Sequence, residues 1–298
     1  MLPDSAGGRA VSTVLDVAVC LLFVTAAVGV LATVDRPTPD DSDTADRAAS
    51  LLGTTTTTVH YAATGPDGGS GGRAAVACRV DGGSRPDDCR TAHGTVADLL
   101  AHAAVADVTA AAEGSGFERG VRNATHQRLA GIRSSWQVVV TWRAYPDAPL
   151  AGRLVVGDGP PPGVDVHTAT LQVPVAGNGA TEATGADEPR TVDAVARQAA
   201  STMITRLFPP EPTRLALVGE ASADQRTASH YRRTAAALGV GLDGAVADGS
   251  VRRANSILTD ALATRYARDL ETRTDDPTAA AALVSVETAT VTVRTWSA

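Results

Sequence analysis

The feature that most limits what this chain can fold into is its N-terminal apolar run, Val11 to Val34, "VSTVLDVAVCLLFVTAAVGVLATV". Between Arg9 and Asp35 the only charge is Asp16. As a helix, its 24 residues extend about 36 Å at about 1.5 Å per residue. That exceeds a hydrocarbon core of about 30 Å and outruns a secretory h-region of about 7–15 residues. The run therefore predicts a transmembrane helix, with membrane lipid as its first partner. Asp35, Arg36 and "PTPDDSD" end it. Arg9 before the run and acids after it favour a cytoplasmic N-terminus, which puts the remaining chain outside the cell.

Composition narrows the exterior part. All 26 basic residues are arginine and the net charge is −7. An acidic surface without a compensating basic stripe speaks against nucleic acid. Aromatic residues are only 3% of the chain, so a core must come from Val, Leu, Ala and Ile. The profile is similar to that of GC-rich halophilic archaeal proteins. Cys20 sits inside the apolar run. Cys78 and Cys89 flank the turn-rich "RVDGGSRPDD" and form a candidate disulfide if the region faces outward, two free thiols being the alternative. Closing that loop would stabilise the fold by about 3 kcal/mol on the chain-entropy model.

The expected fold class is α+β: one N-terminal transmembrane helix followed by an extracytoplasmic mixed domain with an antiparallel sheet and several helices. Residues 1–10 read as a leader, 11–34 as the transmembrane or stem helix, and 35–52 as an acidic stalk or linker. A mainly β region spans 53–177, a linker 178–189, and a mainly helical region with a C-terminal strand 190–298. "WQVVVTW" gives the clearest strand, because Trp136, Val138, Val140 and Trp142 share one face at period two. "GRLVVGD" and "VDVHTATLQVPV" are expected beside it as antiparallel neighbours. Helical spacing marks Thr95–Ala112 and residues 117–132. It marks a further helix with Val192, Val195, Ala199, Met203 and Leu207 on one face, stopped by "FPPEP". Two more helices cover residues 221–238 and 251–273, and "VSVETATVTVRTW" closes the chain as a strand that completes a sheet.

Motifs for catalysis do not emerge. The histidines at 60, 93, 102, 126, 167 and 230 show no i, i+4 pair, and HExxH, GxSxG and GxxxxGK[ST] do not occur. The prolines of "GDGPPPG" remove the N–H donors that a phosphate cradle needs, so it reads as a rigid turn. His102 reads as a packed or half-exposed residue near an apolar helix face, and His230 as part of a solvated face beside Arg232 and Arg233. Neither a cofactor nor a metal is expected. Asn123-Ala124-Thr125 is a glycosylation sequon.

Arg9-Ala10-Val11-Ser12, followed by the apolar run, resembles the class III (prepilin-type) signal of archaeal type IV pilins, and more narrowly haloarchaeal pilin-like or pseudopilin-like proteins of pilus or Tad-like clusters. The resemblance covers about Gly7–Val34. It implies that a prepilin peptidase cuts between Ala10 and Val11 and that the apolar stem is retained. The stem would then pack against other pilin-like stems on an assembly platform. Asp16, the sixth residue of the mature chain, would be a stem carboxylate, one place later than the bacterial glutamate. Thr13 stands where many haloarchaeal pilins have proline. Together these readings predict a non-enzymatic, single-pass cell-membrane protein, a minor pilin-like component of a type IV pilus or secretion-related assembly. The alternatives are a permanently anchored surface protein whose exterior domain binds a partner, and release by cleavage after "Val30-Leu31-Ala32".

Overall fold

Alternation in "WQVVVTW" sets the centre of the fold: Val138, Val140 and Trp142 are fully buried and Trp136 packs against them. The computed structural model of the chain describes residues 41–62, 89–108, 116–175, 191–218 and 221–297. In chain order come α1 (Asp41–Thr54), β1 (Thr56–Ala62), β2 (Cys89–Thr95), α2 (Val96–Asp107) and α3 (Gly116–Leu129). Then follow β3 (Ser135–Arg143), β4 (Ala151–Val156), β5 (His167–Pro174), α4 (Val192–Leu207) and α5 (Pro210–Val218). The chain continues through α6 (Ala221–Leu238), α7 (Asp243–Ala247), α8 (Val251–Glu271), α9 (Pro277–Leu283) and β6 (Thr288–Trp296).

The expected architecture needs one correction. The described residues are α+β with antiparallel sheets, and none of their helices is long and apolar enough to cross a membrane. Among the described residues the fold is therefore the mixed domain alone. The run Val11–Val34, to which that helix was assigned, lies outside the described residues.

β1 and β2 form a two-stranded antiparallel ribbon, while the main sheet has the order β4-β3-β6-β5. The C-terminal strand enters between β3 and β5, pairing Val138 with Val293 on one side and Ala169 with Val293 on the other. "VDVHTATLQVPV" thus neighbours the chain's end, not the hairpin that precedes it. Because β6 is central, both its edges are paired, and its alternating Ala289, Val291 and Val293 are fully buried.

α1 and α2 cover one face of this sheet. Residues 41–52 belong to helix and core, not to a stalk: Ala45, Ala48 and Leu52 recur at helical spacing and are fully buried. α2 starts with a reciprocal cap. Thr95 Oγ1 accepts from Asp98 N at 3.1 Å, and Asp98 Oδ2 accepts from Thr95 N at 3.3 Å. Small residues let α2 lie close to the sheet. A Cβ at Gly152 would collide with the Ala104 carbonyl, so this position of β4 admits only glycine.

α4 packs along α8, with Ala196, Ala199, Ala200 and Met203 facing inward opposite Leu258, Leu262 and Tyr266. The Tyr266 hydroxyl reaches Met203 Sδ at 2.8 Å. Phe208 and Tyr231 stack with ring centroids 4.0 Å apart. One core runs from Ala45 to Val293, so Asp41–Ala298 is a single unit. Residues 178–189 lie outside the described residues, but they do not divide two cores. Two short helices begin where proline suggests only a stop. α5 starts at Pro210, and α9 starts at Pro277 behind Asp276, whose carboxylate accepts from Thr278 N and Ala279 N. Proline fits the first helical turn, where its missing N–H costs nothing.

Candidate functional site

The four-stranded sheet has two unlike faces. Val140, Trp142, Leu154, Val173 and Val291 turn toward the helices and are buried. Most of their neighbours in sequence turn the other way and are polar, although Val139 and Val155 stand among them, and Val139, Gln137 and Trp296 are buried on that side. β6 contributes Thr288, Thr290, Thr292 and Arg294, all half-buried, and β5 contributes the exposed Thr168, Thr170 and Gln172. β3 and β4 add Thr141, Arg143 and Arg153, the two arginines being exposed.

Cross-strand partners knit this face into a flat polar array. Thr141 lies opposite Thr290, and Thr170 opposite Thr292. Thr290 Oγ1 donates to Gln172 Oε1 at 3.2 Å, and Arg294 Nη1 lies 3.5 Å from Gln137 Oε1, at the outer limit of a hydrogen bond. Every arginine of the four strands, Arg143, Arg153 and Arg294, belongs to this face, and the strands contain no Asp or Glu. Among the described residues, none of the three arginines has a carboxylate partner. The outer edge of β4 is closed by side chains: Asp107 Oδ2 accepts from Arg153 N at 3.0 Å, and Arg122 Nη1 donates to the Val155 carbonyl. A blunted edge of this kind resists strand addition.

Four of the histidines make local contacts. His93 and His60 bond Thr58 and Thr91 across the β1–β2 ribbon, and His126 packs against Trp136. His102 is exposed, not packed or half-exposed as expected, and its Nδ1 donates to Asp98 O at 2.8 Å. His230 is half-buried in α6, not on a solvated face. Burial first, then the positive charge of Arg233 and Arg226, lowers its pKa to about 4. Among the described residues no group of three or more His, Cys, Asp or Glu is placed to hold a metal ion.

Two grooves flank the helices. One lies among α5, α6 and α7, with Ala228, Ala235, Val240 and Val246 lining it and Arg232 beside them. The other runs between α4 and the segment entering β6, past Val195, Ala199, Val286 and Thr288. Arg206 stands near this segment, with Nη2 3.9 Å from Glu287 Oε1, while its buried Nε and Nη1 have no hydrogen-bond partner.

The sequence-derived processing residues Arg9, Ala10, Val11 and Ser12, the stem carboxylate Asp16, and Cys78 all lie outside the described residues. Cys89 opens β2 and is disulfide-bonded. Asn123 is exposed on α3, but Thr125 of its sequon is fully buried and donates Oγ1 to Val121 O at 2.9 Å. The folded helix therefore presents the asparagine without its threonine. Sequence reading passed over Arg143, Arg153 and Arg294. Their signal was present in the period-two alternation of "TATVTVRTW", whose polar half is as regular as its apolar half.

A family model described as a family of unknown function, DUF7284, matches residues 15–296. The chain belongs to the DUF7284 family. No curated protein and no solved structure matches it. The DUF7284 match begins at Leu15 and ends at Trp296, so it takes in Asp16, most of the apolar run and the whole sheet. Run and body thus form one family unit, with the Arg9–Ser12 junction ahead of it.

Proposed function

We propose that this DUF7284 member works without catalysis, as a minor pilin-like component of a type IV pilus or secretion-related assembly. Its folded body faces the outside of the cell. The observation that carries the reading is the Arg9-Ala10/Val11-Ser12 junction directly before an apolar run with a single carboxylate. A prepilin peptidase would remove residues 1–10, and the retained apolar segment would pack against the same segment of other copies on an assembly platform. Asp16 would be the charge that this packing has to satisfy, since an unpaired carboxylate in an apolar medium is costly. The disulfide at Cys89 supports an exterior body, because such bonds persist in oxidising compartments. The second reading, an exterior body that binds a partner, is favoured by the exposed Arg143, Arg153, Thr168, Thr170 and Gln172 on one face of the sheet.

The test is the N-terminus and intact mass of protein isolated from its native source. A chain starting at Val11 supports the proposal. One that retains Arg9, or starts at Thr33, overturns it. An Arg9→Ala chain is expected to remain unprocessed.

A further inference from the structure

Two histidines far apart in the sequence meet on one face of the β1–β2 ribbon. We infer that His60 and His93 form a two-point site for a first-row divalent metal ion that favours imidazole, with zinc as the test case. The inference goes beyond the assembly reading and makes no use of the N-terminal segment.

Register builds the pair. β1 and β2 are antiparallel, with Thr58 opposite His93 and His60 opposite Thr91. Side chains alternate between faces at period two, so these four stand on one side of the ribbon, and all four are exposed. Val59 and Tyr61 turn to the other side, where Val59 is buried and the Tyr61 ring lies 5.1 Å from that of Phe117. His60 and His93 are thus diagonal neighbours across the two strands, a separation of about 7–8 Å that long side chains bridge.

The threonines orient the rings. Thr58 Oγ1 lies 3.0 Å from His93 Nδ1, and Thr91 Oγ1 lies 3.1 Å from His60 Nδ1. Each ring is thereby drawn toward the strand opposite, with its Nδ1 engaged. When Nδ1 carries the proton and donates it to the threonine oxygen, the lone pair of Nε2 is left for a metal. Adjacent cross-strand pairs on one face are about 6.8 Å apart along the strands. Metal–nitrogen bonds of about 2.0–2.1 Å need the two Nε2 atoms within about 4 Å of each other. Exposed rings reach that separation by turning toward one another.

Chemistry selects the ion. Imidazole suits zinc, copper and nickel, whereas calcium and magnesium take oxygen ligands. Neither strand contains Asp or Glu, and Cys89 is disulfide-bonded and offers no thiolate. Among the described residues no third His, Cys, Asp or Glu completes a set, so water or an outside ligand would take the remaining positions, as in an open site. Stability of the ribbon does not call for the histidines, because β-branched residues serve both positions at least as well. Helical spacing rules pass over the pair, since strand pairing and not sequence distance brings it together.

The experiment is calorimetric titration of Zn²⁺ into the full chain, free of any histidine tag, in a neutral detergent. Wild type is expected to bind zinc at one site per chain. His60→Ala and His93→Ala should each weaken it at least tenfold with an unchanged melting temperature of the metal-free protein, as both side chains are exposed. Thr58→Val and Thr91→Val should each weaken it about tenfold, the lower range for loss of a group that orients a ligand. His102→Ala, which removes an exposed histidine on α2, should change nothing. The ring proton resonances of wild type give a second readout without any variant: zinc should move those of His60 and His93 together. No zinc uptake, a His60 or His93 variant that binds as tightly as wild type, binding lost with His102, or a response confined to one of the two rings overturns the inference.

Discussion

The hydroxyl of Tyr145 donates to Asp269 Oδ2 across 2.9 Å, tying the turn after β3 to the last turns of α8. Arg273 completes the junction, with its guanidinium 5.0 Å from the centre of the Tyr145 ring and Nη2 donating to Pro146 O at 2.9 Å. Next to it the indole of Trp142 donates to Val286 O at 3.0 Å. These bonds join the sheet to the helices that follow residue 190. Tyr145→Phe is expected to cost about 1–2 kcal/mol, the range for losing a hydrogen bond to a charged group that water partly replaces. Urea denaturation monitored by circular dichroism reads this directly, and an unchanged midpoint would mean that the bond contributes nothing net.

Burial raises the phenols of Tyr145, Tyr231 and Tyr266 above their ordinary range, and Asp269 adds to the rise for Tyr145 and Tyr266. His230 moves the other way, down to about 4. For each of these groups the folded state prefers the neutral form. Their contribution is therefore present between the unfolded values of about 6.5 for histidine and about 10 for tyrosine. Below about 6.5 the unfolded chain takes up a proton at His230 that the folded chain refuses, so stability falls as pH drops toward 4. His230→Gln should flatten the melting-temperature profile over that interval. A profile identical to wild type would remove His230 as its source.

Gly152 lies where α2 meets β4, and a methyl group there meets the Ala104 carbonyl. Backbone on both sides cannot yield as a side-chain end would. Gly152→Ala is expected to destabilise by about 3 kcal/mol, at the upper end of ordinary overpacking. Gly131, with open space around it, is the control. Equal melting temperatures for Gly152→Ala and Gly131→Ala would contradict this packing.

Arg206 is a conflict the fold tolerates. Its side chain is 13% exposed, two of its nitrogens lack partners, and Glu287 reaches it only at 3.9 Å. Each unmade buried bond costs about 1–3 kcal/mol, so an apolar side chain of similar length removes a penalty. Arg206→Met is expected to leave stability unchanged or to raise it by about 1–2 kcal/mol, read as the denaturation midpoint. A large loss would show that Arg206 makes a favourable contact in solution.

Local periodicity by itself determined the main-sheet strands and most of the helices. "WQVVVTW" and "TATVTVRTW" alternate at period two, and Val192, Val195, Ala199 and Met203 recur at helical spacing, because each pattern is the imprint of one buried face. The cap at Asp276–Pro277 was not legible, because a proline after acids reads as a stop until the helix after it is seen. Tertiary structure alone decided that residues 41–52 are core helix, that β6 enters between β3 and β5, and that β5 therefore leaves the hairpin it follows. Strand order depends on contacts between residues more than a hundred positions apart, as between Val138 and Val293, and no local pattern encodes a partner. The polar face of the sheet shows the same division. Its alternation was written in the sequence, but only the assembled sheet brought Arg143, Arg153 and Arg294 onto one surface.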